Sequence, residues 1–407
     1  MNDNILKNFP ESQMLLDQAP GNFVLLKVNA HFHTPYSFSA FDEMAQVFEM
    51  ANQEAVSILG INDFISMDGY PEFYQLSREH HKFPLFNIEF MGLLTDEQKQ
   101  GIRVNDPNNP GRTYFSGKGL DYPVKLEGES LVKLQQVFTE SMNQTRQMIE
   151  KVDLHLKSID AGFEITFDEV QQRFAKKLVR ERHIAKAIRT KIMEKFTAVP
   201  EVEAFLAKLY GKATAANVQD AAALDNEIRS NLLKSGGVAY VPEDPKAFLE
   251  IEEVIRIILD AGGIPCYPVL LDDKNGNFTE FEQDYGRLLE RLDSLNVHCI
   301  ELIPHRNHCK TLNEFVNYFY ERGKVILFGT EHNTPAQQPL TVTCEGDQQI
   351  GASLKKISFD GACVVAAHQY LRAKGETGYV DHQGNPVHDR EKMALLGKSV
   401  IELFLNM

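Results

Sequence analysis

The first ninety residues alternate short apolar runs with amphipathic stretches. Segments 23–34, 56–61 and 84–88 are rich in branched and aromatic residues and are short enough to form buried strands. Between them, segments 44–55 and 71–80 repeat apolar residues at helical spacing. The pattern therefore predicts three consecutive β–α units and an α/β fold.

Each of the three predicted strands ends in a residue that could bind a metal ion. His31 and His33 end the first strand, Asp63 the second and Glu89 the third. Side chains alternate along a strand, so the two histidines point to the same side. Active sites of α/β barrels lie at the carboxyl ends of the strands. Each residue alone could be an ordinary strand-end or loop side chain, but the repetition favours a metal site.

The later chain adds helices and further strands. A long helical pattern covers 130–195, and strands are predicted near 264, at 297–303 and at 324–328. After residue 335 the sequence is mainly helical or buried, and it contains neither an internal repeat nor a low-complexity segment.

These motifs resemble the PHP (polymerase and histidinol phosphatase) superfamily. The resemblance rests on His31-x-His33-Thr34, Ser37, Asn62-Asp63, Gly69, Ile88-Glu89 and the Arg182-His183-Ile184-Ala185 segment. It implies a distorted, TIM-like (β/α)7 barrel that holds divalent metal ions and hydrolyses phosphate esters. The branch that the chain most resembles acts on nucleotides and carries a long helical insertion.

The resemblance also implies a division of the chain. Residues 1–125 and 236–335 are expected to form the two parts of the barrel. Residues 126–235 would be a mainly helical insertion that serves as a lid, and residues 336–407 an extension packed on the barrel.

Several positions depart from the family pattern. Phe64 and Tyr267 stand where the family commonly has histidine. The last strand ends Gly-Thr-Glu-His-Asn, so Glu331 replaces Asp and His332 is shifted by one residue. These changes predict one or two bound metal ions, not the three that the family can hold.

Mixed histidine and carboxylate ligands favour Zn, Mn or Fe. The ligands expected from the motifs are His31, His33 and Glu89, with Asp42, His183, His305 and Glu331 as further candidates. His332 is the first choice for the acid that protonates the leaving group, and the Asp63 carboxylate is the second. The residues expected to orient a phosphate are Arg112, Lys118, Arg182 and Arg306, with Tyr267 as a hydroxyl donor.

Segment 105–120 contains several Gly, Asn and Pro residues together with Arg112 and Lys118. It is expected to be a loop whose backbone N–H groups and two cations face an anion. It is not a P-loop, because the required spacing is absent. An ordinary exposed turn region is the alternative.

The composition limits the class of protein. The chain has 407 residues, a formal net charge of −15 and no uninterrupted apolar run of about 18 residues. The negative charge argues against a surface for duplex nucleic acid. The start of the chain lacks a secretory signal, and the five scattered cysteines are expected to be reduced thiols in a cytoplasmic protein.

The combined prediction is a metal-dependent phosphoesterase that hydrolyses a small phosphorylated metabolite or nucleotide with a metal-activated water. Two alternatives stay open. One is a metal-dependent hydrolase or lyase that acts on a non-phosphate substrate such as a sugar acid. The other is a barrel that has lost catalysis and binds a small molecule.

Overall fold

A seven-stranded barrel forms the centre of the molecule in a computed structural model that describes residues 4–17, 23–273, 275–334 and 338–407. Its strands are buried on both faces, which explains why they appear in the sequence as short, almost continuous apolar runs. The strands of the described residues, which include β5 beside the barrel and the separate pair β9 and β10, are β1 (Lys27–Phe32), β2 (Val56–Phe64), β3 (Phe83–Leu93), β4 (Arg112–Lys118), β5 (Leu249–Glu250), β6 (Ile264–Val269), β7 (Cys299–Leu302), β8 (Val325–Phe328), β9 (Thr343–Cys344) and β10 (Gln348–Gln349).

The strand order around the barrel is β1-β2-β3-β4-β6-β7-β8, with β5 paired to the end of β3. Neighbouring strands are parallel except at β4, which is antiparallel to both β3 and β6. The residues after β8 return to β1, where the Thr330 N–H donates to His31 O at 2.9 Å and the His33 N–H donates to Glu331 O at 2.8 Å. The predicted distorted seven-stranded barrel is confirmed.

Strand β4 corrects the prediction that segment 105–120 is a loop. Thr113 and Phe115 alternate with Ser116 and Lys118, and the last two point into the barrel although they are polar. Because its inward side chains are polar, β4 lacks the apolar inward face that is typical of a barrel strand. The Gly, Asn and Pro residues on its amino-terminal side made the whole segment resemble a turn.

Helices surround the barrel and form the insertion. They are α1 (Ser12–Asp17), α2 (Ala45–Gln53), α3 (Tyr70–Glu79), α4 (Thr95–Lys99), α5 (Gly128–Ser158), α6 (Phe167–Phe174), α7 (Glu181–Lys195), α8 (Val199–Tyr210), α9 (Ala221–Ile228), α10 (Ile251–Asp260), α11 (Tyr285–Ser294), α12 (Cys309–Tyr320), α13 (Ala352–Ala373) and α14 (Arg390–Leu405). None of the helices in these described ranges is long and apolar enough to cross a membrane.

The inserted helices have a hydrophobic core of their own. The carboxyl-terminal part of α5 packs with α6 to α9 around Leu156, Ile188 and Leu206, each of which is fully buried. A Thr166 side chain caps α6 by accepting from the Glu169 N–H, as its sequence position predicts. The division of the chain into four units stays a prediction.

The two carboxyl-terminal helices pack closely on the barrel. Helix α13 is buried on almost every side, and two glycines allow the close approach of its neighbours. A Cβ at Gly361 would lie 2.0 Å from Ile326 O of β8, and one at Gly397 would lie 1.8 Å from Cys363 O. Both distances are far below van der Waals contact, so only glycine fits at these positions.

Cys309 and Cys344 form a disulfide, which corrects the prediction that all cysteines are reduced thiols. The Glu345 N–H donates to Asn307 O at 3.0 Å, and this contact holds β9 beside the start of α12. The two cysteines are 35 residues apart, and their approach depends on this tertiary contact. Cys266, Cys299 and Cys363 are free and buried.

Candidate metal centre

Three side chains at the ends of β1 and β3, which lie on either side of β2, form a compact group of potential metal ligands. His31 lies on β1, His33 directly follows it, and Glu89 lies on β3. Their ligand atoms all lie within 4.8 Å of one another. The two Nε2 atoms are 3.5 Å apart, His31 Nε2 is 3.8 Å from Glu89 Oε1, and His33 Nε2 is 3.6 Å from Glu89 Oε2. Two ligands that share an ion at about 2.1 Å lie about 3.0–3.4 Å apart, so the three atoms need to move only a few tenths of an ångström closer to hold one divalent ion.

A buried carboxylate fixes the orientation of His31. The Nδ1 atom of His31 is 2.9 Å from Glu301 Oε2 on β7. When the Nδ1–H donates to this carboxylate, the lone pair of Nε2 points to Glu89 and His33. A carboxylate behind a histidine is the usual support of a metal-ligating imidazole. Glu301 therefore selects the tautomer that can bind a metal.

Asn62 supports the same ring without blocking its ligand atom. Its Nδ2 is 3.2 Å from His31 Nδ1 and 3.0 Å from His31 Nε2. An atom placed along the Nε2 lone pair would be much farther from Nδ1 than from Nε2. The nearly equal distances thus place the amide beside the ring, and the metal-facing side of His31 stays open.

Asp63 organises the loop that follows β1. Its Oδ1 accepts from the Thr34 N–H at 2.7 Å and from Ser37 Oγ at 2.6 Å, and its Oδ2 accepts from Thr34 Oγ1 at 2.5 Å. Ser37 Oγ also lies 3.4 Å from His33 Nδ1. Both carboxylate oxygens of Asp63 are therefore occupied by the loop that carries His33. In this arrangement Asp63 positions the loop, and the catalytic role predicted for it stays a prediction.

Burial and neighbouring charges control the protonation of the group. Burial raises the pKa of Glu89 well above its ordinary value, and the nearby Glu331 and Glu301 carboxylates add to this effect. Burial and the neighbouring His31 lower the pKa of His33, which favours the neutral imidazole that a metal requires. A divalent cation at this site would favour the ionised form of Glu89, because it would supply the opposite charge at short range.

His332 does not have the role that the sequence predicts. Its Nδ1 is 2.7 Å from Thr330 Oγ1 and its Nε2 is 2.7 Å from Gln338 O. The ring is buried and stacks on Phe41 with centroids 5.0 Å apart. Since both ring nitrogens are engaged, the structure leaves no atom of His332 for a ligand or for proton transfer.

Glu331 faces the site but is held by a cation. Its two oxygens pair with the two terminal nitrogens of Arg306, one of them at 2.8 Å, and Asn333 donates to it as well. Glu331, a predicted ligand, is thus the ion-pair partner of Arg306, a predicted phosphate-binding residue. The neighbouring His305 is half-buried and lies outside the group of potential ligands, although its Nδ1 is buried and has no hydrogen-bond partner.

Asp42 and His183 also lie outside the group of potential ligands. The Asp42 side chain is 71% exposed and pairs with Lys186 on α7. His183 is buried, and its Nδ1 accepts from the Arg180 N–H at 3.0 Å, which caps the start of α7. The structure thus places one side chain at the surface and the other at a helix start, and the metal roles predicted for both residues stay predictions.

Two predicted substrate-binding residues, Arg112 and Tyr267, are each paired with a carboxylate of the protein. Arg112 pairs with Glu243 at 2.5 Å and stacks over the ring of Phe248. The hydroxyl of Tyr267 donates to buried Glu282 at 2.8 Å. Tyr267 alternates with inward-facing residues of β6, so its side chain lies on the outer face of the barrel.

Arg182 is the predicted phosphate-binding residue with a free donor. It enters from the start of α7, and its guanidinium carbon is 5.9 Å from the centroid of the Phe38 ring. Phe38 in turn stacks on His33 with centroids 4.7 Å apart. The Nη1 of Arg182 is buried without a hydrogen-bond partner. Burial lowers the pKa of Arg182 to about 10, which leaves the residue cationic at neutral pH.

The sequence did not assign roles to Glu301, Ser116 and Asn62. All three point into the barrel, where Ser116 Oγ donates to Glu301 Oε1 at 2.5 Å. One signal could have found Glu301: it is a carboxylate in the middle of an otherwise apolar strand, and a buried charge requires partners. Ser116 could have been recognised only after β4 was known to be a strand.

Comparison with solved structures shows a similar fold in one of them. The structure of a "putative metal-dependent phosphoesterase" from Bifidobacterium adolescentis matches with a TM-score of 0.52 and 15% identity, over 83% of this chain and 96% of that chain. An amidohydrolase from Chromobacterium violaceum matches with a TM-score of 0.48 and 14% identity, over 82% and 96% of the two chains. The sequence matches no family model and no curated protein. The match to the first structure is consistent with the distorted barrel fold that the sequence motifs predict.

Proposed function

We propose that this protein is a metal-dependent hydrolase that cleaves the phosphate ester of a small metabolite or nucleotide. The observation that carries the proposal is the group of His31, His33 and Glu89, whose ligand atoms converge on one point at the strand ends. The similar fold of a structure described as a "putative metal-dependent phosphoesterase" supports the same activity.

Some side chains of the site would hold a cation, and others would bind an anionic substrate. His31, His33 and Glu89 would hold a Zn, Mn or Fe ion, a choice that suits two imidazoles and one carboxylate. A divalent ion in this position lowers the pKa of a coordinated water and offsets negative charge on the substrate.

Arg182 supplies the anion-binding side of the site. Its unpartnered Nη1 can donate to a phosphate oxygen without first breaking a contact within the protein. Arg306 is a second cation near the site. It is paired with Glu331, so a substrate would have to compete with that carboxylate for it. A phosphoryl group between Arg182 and the cation would have its negative charge balanced on two sides.

The test is a phosphoester screen with defined metal content. Metal-free protein is loaded with Zn²⁺, Mn²⁺ or Fe²⁺, and release of inorganic phosphate is measured from a panel of small phosphomonoesters and nucleotides. We expect turnover that disappears in His31→Ala, together with its bound metal. The matched control is His388→Ala, because His388 is exposed and far from the three ligands in sequence. Full metal content and full activity in His31→Ala would contradict the proposal.

One observation favours a second candidate, a barrel that binds a small molecule without turnover. His332, the predicted acid, has both ring nitrogens engaged, and Glu331 is held by Arg306. Binding of a phosphorylated compound by metal-loaded protein, with no product after long incubation, would support this candidate. Turnover of a non-phosphate substrate such as a sugar acid would instead replace the phosphoesterase proposal. A cytoplasmic location stays a prediction.

A further inference from the structure

Lys118 is a buried cation inside the barrel. Its side chain has no solvent exposure, and its Nζ donates to Glu301 Oε2 at 2.5 Å and to Asn62 Oδ1 at 3.0 Å. A buried ammonium is stable only beside an anion and with its hydrogen bonds satisfied. Lys118 was predicted to bind a phosphate, but its position behind His31 gives it a carboxylate partner within the protein.

The Glu301 carboxylate has no free oxygen as a result. Its Oε2 contacts both Lys118 Nζ and His31 Nδ1, and its Oε1 accepts from Ser116 Oγ. A carboxylate that is held in this way can orient a ligand but cannot easily become one. Without Lys118, the same side chain would be an uncompensated anion next to a metal ligand.

A second carboxylate near the site is held by a second cation. Glu331 pairs with Arg306 through both of its oxygens. Glu89 is the carboxylate that belongs to the group of potential ligands in the described part of the chain. Three glutamates therefore carry three negative charges, and two protein cations balance two of them. The remaining charge and the two histidines match the needs of one divalent ion.

We propose that Lys118 and Arg306 replace further metal ions and make this a one-metal centre, with Glu301 held as a positioning residue for His31. This inference rests on the metal centre of the proposed function. It concerns the number of ions and the residues that determine it, so it can fail while the proposed hydrolase activity stands.

The experiment is a titration of metal-free protein with Mn²⁺, followed by equilibrium dialysis and electron paramagnetic resonance. We expect the wild type to saturate at one equivalent per chain and to give the spectrum of an isolated ion. Lys118→Met keeps the length and burial of the side chain and removes its charge. We expect this variant to bind a second equivalent, because the negative charge of Glu301 is then no longer balanced and Oε2 loses one of its two contacts.

Two further variants distinguish an effect on the metal centre from a general effect of removing a buried lysine. The double variant Lys118→Met/Glu301→Gln removes both charges, and we expect it to return to one equivalent. Lys324→Met is the matched control, because Lys324 is also buried and pairs with a carboxylate, Asp293, at 2.5 Å, outside the metal group. It should stay at one equivalent.

The outcomes separate the two proposals. Two or more equivalents in the wild type would overturn the one-metal inference and leave the hydrolase proposal intact. A single equivalent in both wild type and folded Lys118→Met would overturn the role of Lys118. No bound Mn²⁺, Zn²⁺ or Fe²⁺ in the wild type would overturn the metal centre on which the proposed function depends.

Discussion

Two strand ends that look alike in the sequence have different roles in the structure. The end of β1 carries His31 and His33, and the residues after β8 include Glu331 and His332. At β1, one nitrogen of His31 is held by Glu301, and Nε2 faces the other potential ligands. After β8, both nitrogens of His332 form hydrogen bonds to neighbouring chain segments. The same residue type at the same kind of position is a candidate ligand in one place and a structural residue in the other.

The difference lies in what contacts the second nitrogen of the ring. A histidine can bind a metal when one nitrogen is fixed by a partner and the other is free. His31 meets this condition because Glu301 contacts its Nδ1, whereas its Nε2 faces the two other potential ligands, His33 and Glu89. His332 does not, because Thr330 and the Gln338 carbonyl approach its ring from both sides. Position at a strand end alone therefore does not identify a ligand.

The sharpest test of this comparison exchanges each histidine for alanine. We expect His33→Ala to weaken Zn²⁺ or Mn²⁺ binding by about 100-fold or more, because one of three ligands is lost. His332→Ala should keep the wild-type metal affinity within about threefold but lose about 1–3 kcal/mol of unfolding free energy, because two hydrogen bonds of a buried ring are lost. Isothermal titration and urea denaturation measure the two effects.

Equal losses of metal affinity in the two variants would contradict the different roles of the two strand ends. A large loss of metal affinity in His332→Ala, in protein that is still folded, would show that the end of β8 contributes a ligand. His388→Ala serves as the control in both measurements, because His388 is exposed and its Nε2 has a single, longer contact at 3.2 Å.

A smaller effect is expected for the two arginines that the sequence treated as equivalent. Arg182 has a buried donor without a partner, whereas Arg112 is paired with Glu243. We expect Arg182→Ala to raise KM for a phosphorylated substrate by about 10-fold, the size of one charge-assisted hydrogen bond. Arg112→Ala should change KM by less than about twofold. Equal effects of the two substitutions would place the substrate elsewhere in the barrel.

The fold was predictable to the extent that strands were apolar and helices amphipathic. Strands β1, β2 and β3 could be placed because their buried side chains form continuous runs in the sequence. Strand β4 was missed because its inward residues, Ser116 and Lys118, are polar and bond to Glu301. A strand whose interior face serves a polar network lacks the pattern from which strands are predicted.

The candidate site was predictable where ligands lie two residues apart in the sequence or at the ends of the three consecutive strands β1 to β3. His31, His33 and Glu89 satisfy this condition, and the structure brings them together. Residues from more distant segments were harder to assign, because their partners come from other parts of the chain. The Asp42 side chain pairs with Lys186, and the Tyr267 hydroxyl donates to Glu282. Pairing of this kind depends on tertiary packing, which the local sequence does not contain.

Acidification provides a finer test of the end of β8. Burial lowers the pKa of His332, so the folded state binds a proton there less readily than the unfolded chain does. Stability from this residue is therefore complete above the unfolded pKa of about 6.5 and decreases as the pH falls below it, by at most about 1.4 kcal/mol per pH unit. In metal-free protein, His332→Gln should lose less unfolding free energy than the wild type between pH 7.5 and 5.5, while His388→Gln should follow the wild type. Parallel losses in all three proteins would mean that His332 is not kept neutral by its surroundings, and the contrast between the two strand ends would then have to rest on metal affinity alone.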